Sequence, residues 1–428
     1  MTAVARSVAA ASPAVDPAAL RHARRLLARH PLVDGHNDLP WTIRNDARAR
    51  GDLDRYDLRR PTRGHTDLAR LRAGGVGAQF WSVYIPGDLP DGRFARTQLE
   101  QIDLARRLIA RYPDRLMPAL TAADVEAAPR RGRIASLLGI EGGHAIEGSL
   151  GALRAYYDLG ARYMTLTHNV TLDWADSCND VRRHGGLTAF GQEVVREMNR
   201  LGMLVDLAHV SPEVMADALR VAQAPLIFSH SSCRALTNVP RNVPDEILAR
   251  LPANGGIVMI TFVGPFVLQA AADARARGLV ELRPELAGIA DPAERRRRER
   301  AYFRAHPLPR PTVADVADHV EHARRVAGPD HIGIGGDYDG NDAWPVGLED
   351  VSGYPRLLAE LVRRGWSDRD LVKLARGNAV RVLREAEAVA TRLHTRRAAL
   401  AASRTLAAVP RAAGRPGNAA ASRPAARR

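Results

Sequence analysis

Eight apolar runs, separated by stretches of helical period, constrain this chain more than any other feature. They cover residues 32–35, 77–85, 134–140, 162–167, 203–208, 225–229, 257–262 and 332–336. Most are continuous rather than alternating, as expected of strands buried on both faces. Between them, residues 98–112 place Leu99, Ile102, Ala105, Leu108 and Ile109 on one face. The stretches 188–201, 211–222, 312–327 and 367–389 repeat that period. Ser211-Pro212-Glu213 offers an N-cap serine with proline at the first helical position, and Ser367-Asp368-Arg369-Asp370 is a capping-box variant. Strands alternating with helices imply βαβ units and a parallel sheet, and eight of them imply an α/β fold of the (β/α)8 TIM-type barrel class. An open doubly wound sheet is the alternative, but it gathers its site at a single switch point.

The polar residues at the ends of these runs favour the barrel. His36, Glu141, His168, His209, His230 and Asp337 each sit at or just past the end of a run, where a barrel builds its active site. In Asp34-Gly35-His36-Asn37-Asp38, His36 and Asp38 stand two residues apart, so on a strand both point the same way. Imidazoles from His36, His209 and His230, with carboxylates from Asp38, Glu141 and Asp337, form a mixed donor set suited to zinc or a similar divalent ion. Six candidates exceed the three protein ligands of one catalytic zinc, and two ions sharing a carboxylate use them economically. Glu141 is the best bridge, since Gly142-Gly143 lets the backbone pass close to an ion. A single strand-end histidine is more often structural than a ligand, so the inference rests on the group. His65, His144, His184, His306, His319, His322 and His331 lack the strand-end setting and read as surface or structural residues, and Asp339 reads as turn chemistry. Arg241, between Pro240 and Pro244, lies in a restrained loop after the His230 run, where a guanidinium suits bidentate capture of a carboxylate.

Composition narrows the function classes. The formal charge of +14 raises nucleic-acid binding. Eight of the arginines, however, fall between His394 and Arg428, a stretch without acidic or aromatic residues. Without them the chain carries about +6, ordinary for a soluble body, and no stacking platform accompanies the tail. No run approaches the roughly 18 apolar residues of a membrane span. Neither end reads as a signal peptide or a lipid-anchor tail. Cys178 and Cys233 read as reduced thiols, which points to a cytoplasmic protein with no nucleic-acid or membrane partner. The chain divides into an N-terminal extension (1–24), a barrel (25–390) and an Arg/Ala/Pro-rich tail read as disordered (391–428). Residues 266–311 read as a polar helical insertion between strands seven and eight.

Several segments together resemble the membrane (renal) dipeptidase family, peptidase family M19 of the amidohydrolase superfamily. They are Val33-Asp34-Gly35-His36-Asn37-Asp38-Leu39-Pro40-Trp41, Gly139-Ile140-Glu141-Gly142-Gly143, Leu166-Thr167-His168-Asn169, Val205-Asp206-Leu207-Ala208-His209-Val210-Ser211, Phe228-Ser229-His230-Ser231-Ser232, Arg241-Asn242-Val243-Pro244-Asp245 and Gly335-Gly336-Asp337-Tyr338-Asp339-Gly340. The resemblance spans about residues 25–390. It implies a zinc-dependent dipeptidase that hydrolyses the peptide bond of dipeptides by a metal-bridging hydroxide. His36 and Asp38 would bind one Zn2+, His209 and His230 the second, and Glu141 both. His168 would contact substrate and stabilise the tetrahedral intermediate. Arg241 would take the substrate's C-terminal carboxylate, and Asp337, rather than ligating, would handle protons and the free amino group. A homodimer is a compatible assembly. The departures from the family are peripheral: no secretion signal, no anchor, no matching disulfide and the 266–311 insertion. The rival reading is another binuclear amidohydrolase, acting on N-acyl amino acids or lactams.

Overall fold

The computed structural model describes residues 15–89 and 92–407. Among the described residues there are nine strands: β1 (Leu32–Asn37), β2 (Val76–Ser82), β3 (Leu116–Pro118), β4 (Ile134–Glu141), β5 (Ala161–Thr165), β6 (Leu204–Asp206), β7 (Ile227–Ser231), β8 (Ile257–Ile260) and β9 (Ile332–Ile334). All pairings between them are parallel. Eight close into a barrel. β1 pairs with β2 and β9, and the circle runs from β9 through β8, β7, β6, β5 and β4 back to β2.

β3 is the strand absent from the sequence expectation. It pairs with residues 134–136 of β4, below the point where β5 takes over the same edge at Leu138. Three residues ending in a proline carry too little pattern to register as a strand. The eight runs expected from sequence are otherwise the barrel staves, several of them shorter than the apolar run because the last residues leave the ladder to line the mouth.

The helices form where the period placed them, at Phe94–Arg111, Ala189–Leu201, Pro212–Val221 and Val313–Ala327. Ser211 caps its helix by accepting from Val214 N, and Ser367 accepts from Asp370 N. The stretch 367–389 is not one helix. A π-turn at Lys373–Gly377 divides Asp368–Val372 from the final helix, Asn378–Ala407. Asn378 Nδ2 donates to the carbonyls of Pro329 (2.9 Å) and Ile332 (2.8 Å), tying that turn to the base of β9. The final helix also corrects the tail. Backbone expected to be disordered from 391 is helical through Ala407, and buried Val389 and Ala390 with partly buried Leu393 hold it to the body. Residues 1–14 and 408–428 lie outside the described residues; within the expected extension, Pro17–Arg29 is helical.

The insertion is a helical hairpin, Gln269–Leu286 and Pro292–Ala305. Its second helix buries no side chain. It reaches the loops beyond β2 and β9 through Arg296–Asp88 (3.0 Å) and Arg300–Asp342 (3.8 Å). Those two loops flank the end of β1, which lies between β2 and β9 in the barrel.

Candidate metal centre

All the expected site residues converge at the mouth. His36 and His230 stand on β1 and β7, and Glu141 is the last residue of β4. His168, His209 and Asp337 each follow the last ladder residue of β5, β6 and β9 by three positions. His209 (φ 67°) and Asp337 (φ 64°) adopt left-handed backbone, which a non-glycine residue keeps only when its surroundings over-determine it. For His209 they do: its carbonyl accepts from Cys178 N (2.8 Å) and Thr167 Oγ1 (3.2 Å).

Glu141 stands at the centre. Its Oε1 faces His209 Nε2 (3.1 Å), His230 Nε2 (3.4 Å) and His168 Nε2 (3.7 Å), while Oε2 faces His36 Nε2 (3.5 Å) and Ser82 Oγ (3.3 Å). The two oxygens of one carboxylate thus address two separate sets of donors. Asp38 Oδ2 lies 3.2 Å from His36 Nε2, and Asp337 Oδ1 lies 3.9 Å from it. Gly340 permits this approach, because a Cβ there would come within 2.4 Å of both Asp337 Oδ1 and Asp38 Oδ2.

The donor set fits divalent ions on three counts. Asp38 Oδ1 is buried with no hydrogen-bond partner. His209 Nε2 and His230 Nε2 face each other at 3.0 Å, about the separation of two nitrogens bound at 2.0–2.1 Å to one ion. The outer nitrogen of each of these histidines is already engaged. His230 Nδ1 meets Ser229 Oγ (2.8 Å), and His209 Nδ1 meets Asn169 Oδ1 (3.3 Å). Asn179 Nδ2 donates to that same Asn169 oxygen (2.8 Å), which fixes the amide's orientation. His36 Nδ1 likewise meets Tyr163 OH (2.8 Å). Three groupings of donors result: His36, Glu141 and His230; Glu141, His168 and His209; and His36, Asp38 and Asp337. Asp337 therefore keeps the position of a possible ligand that the donor count gave it, beside the non-ligating role implied by the resemblance.

The electrostatics follow from burial of charge in a narrow space. Burial lowers His209 and His230 well below the usual imidazole range, and Arg241 adds to it. For His36 burial acts the same way, but Tyr163, Glu141 and Asp38 outweigh it and hold the ring well above that range. Burial pushes Asp337 well above the carboxylate range; His36 opposes the shift, and Asp38 and Glu141 reinforce it. Glu141 is held well below its usual range despite burial, chiefly by His36 and His168.

Arg241 is 3% exposed, its guanidinium 5.1 Å from the Phe266 ring. It donates to Ser231 Oγ (3.2 Å) and to the His230 carbonyl (3.0 Å), and its Nε is buried without a partner. Among the described residues, no carboxylate pairs with it. His144 is buried beside the cluster but turns away, its Nε2 donating to the Ile85 carbonyl (3.0 Å). Asp339 has the left-handed backbone of a turn (φ 65°), but its side chain does not make the local turn bond expected of it: Oδ1 accepts from the distant His65 N (2.8 Å). Both cysteines are free.

Sequence reasoning missed the layer beneath. Asp34 accepts from Tyr354 OH (2.6 Å), Gly336 N (2.9 Å) and Gln79 Nε2 (3.0 Å). Asp206 accepts from Thr165, Ser229 and Ala208. Each is a fully buried carboxylate inside an apolar run, and that placement is the signal that marked them. Tyr163 leaves no such trace; its ring lies where a Cβ on Gly139 would be, 2.0 Å away.

A family model described as membrane dipeptidase (peptidase family M19) matches residues 20–397. Dipeptidase 3 of Mus musculus is 43% identical over 379 residues, covering 87% of this chain and 68% of the relative. Dipeptidase 3 of Rattus norvegicus matches equally, over 69% of its length. Among solved structures, the probable dipeptidase PvdM from Pseudomonas aeruginosa superposes with a TM-score of 0.77 at 21% identity, covering 87% of this chain and 100% of that one. The dipeptidase AC, a family M19 metallopeptidase, gives 0.68 at 26% identity, covering 83% and 98%. These matches overturn the cytoplasmic reading drawn from the two thiols, because the family is described by its membrane members. Among the described residues no helix is long and apolar enough to cross a membrane, and that fact assigns no compartment.

Proposed function

This chain belongs to the membrane dipeptidase family, peptidase family M19, and is a metal-dependent peptide hydrolase; from that premise we propose that it cleaves dipeptides with two zinc ions bridged by Glu141. His36 and Asp38 would hold one ion, and His209 and His230 the other. Divalent ions held there supply Lewis acidity, lowering the pKa of water and polarising a carbonyl. The chain's own residues do the rest.

The observation that carries the substrate assignment is the buried, carboxylate-free guanidinium of Arg241 beside the donor cluster. Two of its five N–H groups are spent on Ser231 and His230, which leaves three to receive a substrate carboxylate. His168, whose imidazole burial lowers from its usual range, lies 3.7 Å from Glu141 Oε1 and is placed to support negative charge developing on the scissile oxygen. Asp337, at the opposite rim of the cluster, is a carboxyl suited to taking and returning a proton, and to meeting the free amino group. A cation site for one terminus and a carboxyl for the other measure a dipeptide's length.

The test is a substrate panel on zinc-loaded protein: a dipeptide, its N-acetyl and C-amide derivatives, and the tripeptide extended at either end. The dipeptide should be hydrolysed far faster than the others. Equal hydrolysis of an N-acyl amino acid would refute the dipeptide assignment and favour the rival amidohydrolase activity.

A further inference from the structure

Asp206 touches neither the donor cluster nor the mouth, yet its hydrogen bonds reach the ring of His230 through Ser229. The residue ends β6 and is fully buried. Its Oδ1 accepts from Ser229 N (2.8 Å) and Ala208 N (3.1 Å), and its Oδ2 from Ser229 Oγ (2.6 Å) and Thr165 Oγ1 (2.5 Å). Backbone amides can only donate, so Oδ1 is committed as an acceptor. Four donors surround this carboxylate, the pattern of a buried anion satisfied by hydrogen bonds alone.

Ser229 has one hydroxyl proton. Given to Asp206 Oδ2, it is not available to His230, and Ser229 Oγ can then only accept from His230 Nδ1 at 2.8 Å. His230 Nδ1 must accordingly carry the ring proton, leaving the lone pair on Nε2. That is the nitrogen facing Glu141 Oε1 (3.4 Å) and His209 Nε2 (3.0 Å). We infer that Asp206 is a positioning residue which, through Ser229, locks His230 in the tautomer that can bind a metal ion. Such outer partners are known to fix the ring orientation and tautomer of ligating histidines.

The inference rests on His230 being a ligand. Asp206→Asn is the decisive change because it preserves shape and reverses one donor. The new amide must present its oxygen to the two backbone N–H groups and its NH2 to Ser229 and Thr165. Ser229 Oγ then accepts from that NH2 and turns its proton towards His230 Nδ1, which favours the tautomer with a proton on Nε2. Ser229→Ala cuts the relay but leaves Asp206 its other three donors. Thr165→Val removes one donor and leaves the relay intact.

The experiment titrates full-length, zinc-loaded protein with a chelator and reads the zinc remaining per chain, with circular dichroism confirming the fold of each variant. Asp206→Asn and Ser229→Ala should each release one ion about 10- to 100-fold more readily than the native protein, the usual scale for lost outer-shell partners. The other ion should be held nearly as before, and Thr165→Val should behave as native. Native retention in either relay variant would overturn the inference, as would equal losses in Thr165→Val, since Asp206 would then act only as packing. If Asp206→Asn does not fold, Ser229→Ala decides the matter by itself. Retention of both ions by His230→Ala would instead overturn the ligand assignment.

Discussion

Replacing Arg241 by lysine tests how this site would recognise a substrate carboxylate. The guanidinium is anchored by two bonds, to Ser231 Oγ at 3.2 Å and the His230 carbonyl at 3.0 Å, and lies over Phe266 at 5.1 Å. Its remaining donors include a buried Nε with no partner. A substrate carboxylate would meet a rigid fork and form two parallel charge-assisted bonds. Lysine keeps the charge but offers a single flexible point and loses both anchors. The expected cost is about 2–4 kcal/mol of transition-state binding, the scale for truncating one partner of a buried charge pair. At about 1.36 kcal/mol per tenfold, kcat/KM for a dipeptide should fall about 30- to 900-fold. Zinc content should not change, because Arg241 holds the backbone of His230 and not its ring. Amidating the substrate's C-terminus should impose a similar loss on the native enzyme and little more on the variant. Steady-state kinetics on this two-by-two set measure the coupling. Additive losses would refute the reasoning, since Arg241 and the carboxylate would not then meet.

Glu141→Gln should cost the centre one or both ions. The amide retains one weaker oxygen and turns a donor towards one histidine set, so elemental analysis should fall from about two ions per chain to one or none with loss of activity; two ions in an active variant would exclude the bridge. A chain ending at Thr395 should keep hydrolysis and thermal stability, because the last described apolar anchor of the final helix is Leu393, whereas ending at Val389 should destabilise; equal melting of the two would show that the anchor contributes nothing. His319 should make the fold acid-sensitive. Its Nδ1 accepts from Cys233 N (3.0 Å) and its Nε2 donates to the Val267 carbonyl (3.1 Å), and burial depresses the imidazole to about 4. An unfolded imidazole titrating near 6.5 binds the proton first, so stability is full above about 6.5 and declines as pH falls towards 4, by about 3 kcal/mol. Thermal midpoints measured from pH 7 to 4 should show a shallower slope in His319→Asn; parallel slopes would exclude this origin.

The barrel was legible because a parallel sheet covered on both faces demands continuous apolar runs, and eight such runs leave few architectures. The ligand candidates were legible for the same reason. His36, Glu141, His209 and His230 interrupt or end those runs where solvation and packing give them no purpose. Asp34 and Asp206 broke the runs too, but a charge inside a strand does not say what it holds. Their role depends on Tyr354, Gln79, Ser229 and Thr165, which come from distant parts of the chain and meet only when the strands lie side by side. β3 escaped notice because three residues carry no period. The end of the final helix was misplaced because an Ala/Arg-rich composition resembles a disordered tail until Val389, Ala390 and Leu393 find the body to pack on. The left-handed backbone at His209 and Asp337 is also tertiary in origin, since neighbours fixed elsewhere in the fold must hold a conformation that the local chain disfavours. The sequence by itself determined which candidate ligands the barrel strands carry to or just past their ends. Only the closed barrel decided that Glu141 turns one oxygen to each set of donors, and that Arg241 is left with donors to spare, because both depend on distances across the mouth.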